Sequence, residues 1–163
     1  VALANLRRHH IRVYGTFVFG YGATRQEAFA EAAQFAIDHR FYIAAFNHLT
    51  PFPGTPLYKQ LQAEGRLLYE SWWLDERYRY NDLPFLPEGA APGDIRTGCL
   101  AARRWFYSWG SIGTRMLDRV NRSDALMMRN FLPINVMHRT ELSQRDGFPL
   151  GDPQWRGRFL KVA

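Results

Sequence analysis

Two adjacent polar residues, Asn47 and His48, have the side chains best suited to chemistry, and they stand at the end of a predicted strand. An amide can hydrogen-bond a base or a substrate, and an imidazole titrates near neutral pH, so it can act as a base or a ligand. Neighbours on a strand point to opposite faces, so at most one of the pair can face a given pocket. His48 has no carboxylate or cysteine beside it, which favours a structural histidine, whereas binding and structural roles are equally open for Asn47.

Three glycines, Gly15, Gly20 and Gly22, lie in and just after the preceding apolar segment. Glycine lets a backbone approach a ligand closely, which makes this segment a second candidate for binding. The spacing matches neither the phosphate loop Gly-x-x-x-x-Gly-Lys-Ser/Thr nor the dinucleotide pattern Gly-x-Gly-x-x-Gly. Structural turn glycines are therefore favoured over a phosphate-binding loop.

The remaining reactive side chains favour structural roles. Cys99 is the only cysteine, so this chain has no internal disulfide and no site of several thiolates, and a reducing, cytoplasmic setting fits. Cys99 falls on the apolar stripe of a predicted helix, where it packs as a small hydrophobe. His9 and His10 lie at a predicted helix C-terminus, where a cation suits the helix dipole, and a metal role is not favoured. Aromatic residues that could line a substrate cavity, although their helical spacing favours a core, are Trp72, Trp73, Trp105, Phe106 and Trp109.

The elements that position these residues begin with two strands joined by a helix. Residues 11–20 are rich in β-branched and aromatic side chains, and the pattern returns in residues 41–49. Between them, Thr24 and Glu27 have the spacing of a capping box, which predicts that a helix begins there. A helix of this length between two buried strands favours a parallel, right-handed βαβ unit.

A proline-rich turn follows the second strand. Thr55-Pro56 predicts an N-cap and a first helical position, and Gly65 predicts a left-handed end to that helix. Ligands of parallel sheets bind beyond the carboxyl ends of the strands, so the loops 21–23 and 50–54 are predicted to border one site.

The second half of the chain is predicted to be irregular and then helical. Residues 67–92 carry aromatics and prolines without a clean period, and Asp94 is predicted to cap the next helix. Two further helices are predicted over residues 111–121 and 123–139, the last one bent near Pro133. The predicted divisions are a βαβα part at 1–66, a connection at 67–92, a helical region at 93–142 and a loop-rich tail at 143–163.

Composition limits the classes of function. The chain has 163 residues, 47% of them hydrophobic and 22% charged, which indicates one globular domain with a core. No apolar run is long enough for a membrane span. The net charge is +6, but the basic residues are scattered, so a basic surface on part of a larger protein is favoured over a nucleic-acid site. Arg103, Arg104 and Arg115 are predicted to form mainly a solvated face, with an acidic substrate or a partner domain as the alternative.

Three stretches carry a resemblance to a known family. They read GTFVFGYGATRQE from Gly15, FNHLTPFPGTPLYKQL from Phe46 and GDIRTGCLAARRWFYSWGSIGTR from Gly93. Together they resemble the late barrel strands and C-terminal region of radical S-adenosylmethionine enzymes, particularly the subgroup with an N-terminal cobalamin-binding domain. The resemblance implies an α/β chain that is the last βαβα unit of an incomplete (β/α)6 barrel, followed by a mainly α-helical region.

The resemblance also implies a cofactor site shared with other parts of a longer protein. The family's Cys-x-x-x-Cys-x-x-Cys motif is absent here, so this chain would hold no [4Fe–4S] cluster and would be inactive alone, although part of an oxidoreductase or methyltransferase. Cobalamin would require an N-terminal domain. The turn after Gly20 lacks the family's proline and glutamate, so no polar cofactor contact is carried over to Ala23. No catalytic residue or metal ligand is assigned. The residues implied to shape the S-adenosylmethionine pocket are Gly15, Phe17, Phe19, Gly20, Tyr21, Asn47, His48, Leu49, Thr50 and Pro51.

A different class of function is also open. The chain could be a non-catalytic α/β interaction module, with an anion as its ligand and the proline-rich turn as a rigid loop only. Under the first hypothesis its partners are the upstream part of the same polypeptide and an unidentified small substrate. A two-strand fragment leaves an unpaired strand edge, so the isolated chain is expected to oligomerise or to rearrange so that this edge is covered.

Overall fold

The computed structural model describes residues 1–148, which form a two-stranded parallel sheet and six helices. The predicted α/β class and the parallel βαβ unit are confirmed. The described strands form an open sheet and not a closed barrel, so the (β/α)6 part of the expectation is not shown. In chain order the elements are α1 (Ala2–Arg8), β1 (Tyr14–Phe19), α2 (Glu27–Asp38), β2 (Ile43–His48), α3 (Pro56–Ala63), α4 (Pro92–Phe106), α5 (Trp109–Met116) and α6 (Ala125–Gln144).

The two strands pair in register from Tyr14 opposite Ile43 to Phe19 opposite His48. Both are shorter than the apolar segments that predicted them. Along β1, burial alternates with the period of a strand: Phe17 and Phe19 lie on the packed face, and Tyr14 lies on the exposed one. The sheet therefore has one face in the core and one open face.

The helix between the strands begins later than predicted. Thr24 does not form a capping box with Glu27, because its hydroxyl accepts a hydrogen bond from the Gly20 amide at 3.1 Å. Helix α2 starts at Glu27 without a side-chain cap. The hydroxyl closes the loop after β1, where the amide beyond the strand end needs an acceptor.

Helix α3, which follows β2, begins and ends as predicted. Thr55 Oγ1 accepts from the Tyr58 amide at 3.2 Å, and Pro56 occupies the first helical position, where its missing N–H costs nothing. Gly65 follows the helix with φ +64°, a left-handed conformation that glycine adopts without steric cost. The turn after β2 thus has the capping chemistry that its sequence predicts.

An aromatic core joins the sheet to the helices. The rings of Phe17 and Phe46 stack at 5.1 Å, and Phe106 of α4 approaches Phe46 at 5.7 Å. Helix α4 packs on both α2 and β2, and Gly98 is the point of closest approach to Phe29 of α2. This packing brings the second half of the chain against β2.

The connection between α3 and α4 has no helix or extended strand pairing, and within it Leu67 and Phe85 form an isolated antiparallel bridge. Helix α4 then begins at Pro92, so the prediction that Asp94 caps it is wrong. Pro92 starts the helix because its fixed φ suits the first turn, which leaves Asp94 inside that turn, where its charge favours the helix dipole.

The last two helices differ in length from the prediction. Helix α5 covers Trp109–Met116 and is capped by Ser108, and α6 extends through Pro133 to Gln144. The start of the predicted loop-rich tail is therefore helical at residues 143 and 144, while residues 149–163 of that tail lie outside the described residues. Within the described part of the chain, no helix combines the length and hydropathy of a membrane span.

Candidate functional site

A cleft of about 200 Å³ opens along the outer edge of β2, the edge that does not pair with β1. We call it the β2-edge cleft. Five segments of the chain supply its polar side chains, so the cleft exists only in the folded chain. Those side chains are Tyr14 of β1, Asn47 of β2, Tyr80 and Asn81 of the connection, Arg103 of α4 with Tyr107 just after it, and His138 and Glu141 of α6.

Arg103 organises the cleft by binding three neighbours. Its Nε donates to the Phe46 carbonyl at 2.8 Å, Nη1 to Asn81 Oδ1 at 2.9 Å and Nη2 to Asn47 Oδ1 at 2.7 Å. All three acceptors are neutral. Among residues 1–148 no carboxylate forms a salt bridge with Arg103. The half-buried guanidinium therefore brings an uncompensated positive charge to the cleft.

Tyr107 lies one helical turn after Arg103 and closes the strand edge. Its hydroxyl donates to the Ala44 carbonyl at 2.8 Å and accepts from the Ala44 amide at 3.4 Å. Burial raises the pKa of Tyr107 to about 12, so the phenol keeps its proton at neutral pH. Tyr107 and Arg103 thus occupy the amide and carbonyl of Ala44 and the carbonyl of Phe46, which obstructs the pairing of another strand at this edge.

His138 and Glu141 bring a titratable pair to the far side of the cleft. Burial is the main cause that lowers the pKa of His138, Arg103 lowers it further, and Glu141 opposes the shift. The His138 Nδ1 lies 3.6 Å from Glu141 Oε2, and the imidazole stacks on Tyr107 with ring centroids 5.2 Å apart. Glu141 is also paired with Arg145 at 2.7 Å. His138 is therefore mainly neutral at neutral pH and can accept a hydrogen bond or a proton.

The residues expected from β1 to shape a cofactor pocket fall into two groups. Phe17 and Phe19 turn their side chains into the core, and a side chain at Gly15 would overlap the ring of Phe41. Gly20 has φ +95°, and Tyr21 beside it is 83% exposed. Gly20 itself is buried, so Tyr21 is the residue of these five that presents a largely accessible side chain, just beyond the carboxyl end of the strand.

The residues on and after β2 that were expected to shape a cofactor pocket also lie in different places. Asn47 lines the β2-edge cleft, whereas His48, Leu49, Thr50 and Pro51 do not. His48 Nδ1 lies 3.1 Å from the Leu49 carbonyl, and the Leu49 amide donates to the Phe19 carbonyl at 2.7 Å. Pro51 is buried, and its carbonyl accepts from Trp72 Nε1 at 3.0 Å. A cofactor role for these residues stays a prediction.

Burial makes His48 sensitive to acid. It lowers the His48 pKa below 6.5, so on acidification the unfolded chain binds the proton first and the free energy of unfolding falls as pH drops below that value. We expect urea unfolding to show a smaller free energy of unfolding at pH 5.5 than at pH 7.5, and His48→Gln to reduce this difference. His138 contributes in the same direction, so a remainder is expected. An unchanged pH dependence in His48→Gln would contradict the assignment.

The other side chains singled out from the sequence lie outside the cleft. Cys99 is buried in the core, and burial raises its pKa to about 12, as expected for a small hydrophobe. Arg115 is fully buried, so its predicted place on a solvated face is wrong, while Arg104 is exposed. None of the five aromatic candidates lines the β2-edge cleft; Trp72 and Phe106 are in the core, and Trp105 and Trp109 are exposed.

Most of the cleft was not predicted from the sequence. Tyr80, Asn81, His138 and Glu141 carry no motif, and Arg103 looked like a surface arginine. The one available signal is the spacing of Arg103 and Tyr107, which places them on one face of a helix. That spacing alone does not reveal which strand the face meets.

By fold and cleft, the chain is an α/β unit built on a parallel βαβ motif. No family model matches it, and no solved structure does. Two curated proteins of Chlorobaculum tepidum are similar in sequence. Bacteriochlorophyllide d C-12(1)-methyltransferase is 27% identical over 114 residues, which cover 70% of this chain and 24% of that protein. Bacteriochlorophyllide d C-8(2)-methyltransferase is 24% identical over 115 residues, covering 71% and 25%.

These relatives correct the family expected from the sequence. The resemblance to radical S-adenosylmethionine enzymes of the cobalamin-binding subgroup is wrong as an assignment, because neither family is shown and no family model matches. What is shown is a weak similarity to two methyltransferases of bacteriochlorophyllide d. The chain spans about a quarter of the length of each of these relatives.

Proposed function

We propose that this chain is part of a longer methyltransferase and forms one wall of its substrate site. The observation that carries the proposal is the similarity to two methyltransferases over 70% and 71% of the chain. The share of the relatives that is covered, about a quarter, supports a piece that lacks activity by itself. The single, buried Cys99 supports a reducing, cytoplasmic location.

The methyl donor in this proposal is S-adenosylmethionine, which supplies an electrophilic methyl group when bound. The accessible surface at the carboxyl end of β1 suits such a group. Tyr21 is exposed, and a side chain placed on Gly22 would meet nothing within 4 Å, so backbone and aromatic ring are open to a ligand there. Tyr21 and the Gly22 backbone would contact the donor. The iron–sulfur cluster, cobalamin and oxidoreductase chemistry expected earlier have no support from the relatives and are not part of the proposal.

The substrate in this proposal is a chlorophyllide-type tetrapyrrole. Both relatives are named for methyl transfer to bacteriochlorophyllide d. The open face of the sheet supports a flat, apolar substrate, since Tyr14 is 65% exposed and Val18 is 53% exposed on it. An apolar macrocycle that covered this face would remove both side chains from water, which favours binding.

The outer edge of β1 is the proposed contact with the rest of the protein. Within residues 1–148 β1 pairs only with β2, and an unpaired strand edge readily accepts another strand. Because the outer edge of β2 is obstructed, a further strand would join the sheet at the outer edge of β1. The upstream part of the same polypeptide is the proposed partner, and in the isolated chain a second copy takes its place.

The test uses the gene that encodes this chain, expressed in full and compared with the 163-residue chain. With methyl-labelled S-adenosylmethionine and a chlorophyllide, we expect label to enter the pigment with the full-length protein and not with the chain alone. Pigment extracted and separated by chromatography gives the readout. A folded full-length protein that transfers no label to any tetrapyrrole would refute the proposal.

A second candidate is a binding module for anions without catalysis. It is supported by a shallow depression where His10 meets Arg119 and Arg122, residues more than a hundred positions apart in sequence. The fold thus gathers some of the basic residues that look scattered in the sequence. Binding to nucleic acid that weakens steeply with salt, without methyl transfer by the full-length protein, would favour this candidate.

A further inference from the structure

Arg103 and Arg115 both donate hydrogen bonds to neutral acceptors, and they differ in how far neighbouring residues bury them. Arg115 is 0% exposed, with its guanidinium 3.8 Å from the centre of the Phe106 ring, so its charge is sealed in the core. Arg103 lines the β2-edge cleft and is accessible from it. A partly buried charge is stabilised most by an opposite charge. Within residues 1–148 no acidic side chain serves Arg103 in this way, which leaves room for an anionic ligand.

The hydrogen bonds of Arg103 leave donors available. A guanidinium has five N–H groups. Within residues 1–148 three are used, one each toward Phe46, Asn81 and Asn47, which leaves two on the terminal nitrogens. The two asparagine oxygens hold those nitrogens in place without neutralising them. Arg103 is thus a positioned donor of two hydrogen bonds with a full positive charge.

The size of the cleft limits what can enter. Sites that enclose a whole small molecule usually measure about 300–1,000 Å³. The β2-edge cleft, at about 200 Å³, accommodates a substituent better than a macrocycle. Tyr14, Ile43 and Ala45 line it from the strands, so it is continuous with residues of the sheet. A ring lying over the open face could therefore extend one polar arm into the cleft.

We propose that Arg103 binds a carboxylate arm of the substrate, so that the protein distinguishes a free acid from its ester. This rests on the proposed function, in which the substrate is a chlorophyllide-type tetrapyrrole carrying a free acid. Guanidinium and carboxylate form paired, charge-assisted hydrogen bonds, and an ester offers neither the charge nor the same geometry. Glu141 also lines the cleft, but Arg145 pairs with its carboxylate at 2.7 Å, which offsets its repulsion. Methylation would then precede any reaction that esterifies this acid.

The test measures binding of chlorin e6, a tricarboxylic chlorin, and of its trimethyl ester, by fluorescence titration in one detergent buffer. We expect the protein to bind the acid at least about 10-fold more tightly than the ester, the range for a charged hydrogen-bonded pair. Arg103→Gln should remove that preference and Arg103→Lys should restore part of it. Arg104→Gln, an exposed neighbour on the same helix, should leave it unchanged.

The outcomes separate this proposal from the one on which it rests. If acid and ester bind equally well to the unmodified protein, the carboxylate site is refuted and the tetrapyrrole substrate stands. If neither binds, both proposals are refuted. The comparison of acid with ester needs no variant, so a failure of Arg103→Gln to fold leaves the main result intact. An acid preference that persists in folded Arg103→Gln would assign the carboxylate to another residue and refute the role of Arg103.

Discussion

Replacing Arg115 by methionine is expected to lower the free energy of unfolding by about 1–3 kcal/mol, the range for leaving a buried acceptor without its donor. Arg115 Nη1 donates to the carbonyls of Phe41 and Tyr42, each at 3.2 Å, and Nη2 donates to that of Phe106 at 2.9 Å. Nε donates to Ser111 Oγ at 3.1 Å. Methionine fills much of the volume but takes away the Phe41 carbonyl's donor, while the Tyr42 and Phe106 carbonyls keep donors from Asn135 and Ser111.

The charge on Arg115 is kept although it is buried. Burial lowers its pKa to about 10, which is still far above neutral, so the guanidinium is protonated under ordinary conditions. Its hydrogen bonds join the start of β2 to the end of α4 and to α5. A lysine has a compact ammonium group and cannot reach all of these acceptors together. We therefore expect Arg115→Lys to be destabilised as well, though less than the methionine variant.

Urea unfolding followed by circular dichroism measures both effects. The exposed Arg104 provides a matched control, because Arg104→Met removes the same charge from the neighbouring helix and should change stability by less than about 0.5 kcal/mol. A loss below about 1 kcal/mol in Arg115→Met would contradict the structural role of this arginine.

Adding one methyl group at Gly98 is expected to cost about 1–3 kcal/mol, the range for overpacking a core. A β-carbon there would lie 2.5 Å from the ring of Phe29, which is 4% exposed and has little room to move. Gly98→Ala should therefore push α4 away from α2. Because Arg103 lies on α4 and Tyr107 directly follows its last residue, the same change should also widen the β2-edge cleft.

Gly113 offers a control position, where an added methyl group is expected to raise the free energy of unfolding. It lies inside α5, and a β-carbon there would meet nothing within 4 Å. Gly113→Ala should then gain up to about 1 kcal/mol, since alanine favours the helix more than glycine does. Thermal or urea unfolding of the two variants gives the comparison. Equal effects at the two positions would show that α4 does not pack on α2 as closely as described.

Local signals in the sequence predicted the βαβ unit and the helix after β2. Apolar periodicity reveals strand and helix directly, and Thr55 caps its helix through a hydrogen bond to a residue three positions away. Thr24 and Asp94 show the limit of such signals. Thr24 has the spacing of a cap, but its hydroxyl binds the amide of Gly20 on the other side of the loop. Competition between possible partners is decided by the folded loop and not by spacing.

The sequence by itself determined that the chain is α/β and where α3 begins and ends, because periodicity and capping involve residues close in sequence. It also determined that the strands are parallel, because a helix between two buried strands favours that pairing. Only the tertiary structure decided the roles of Arg103 and Arg115. Both come from neighbouring helices and both bind neutral oxygens at β2. Packing seals one under Phe106 and leaves the other at a cleft. Whether each arginine is buried depends on residues from distant segments of the chain. Only the folded structure therefore shows that Arg115 is a stabilising residue and Arg103 a candidate binding residue.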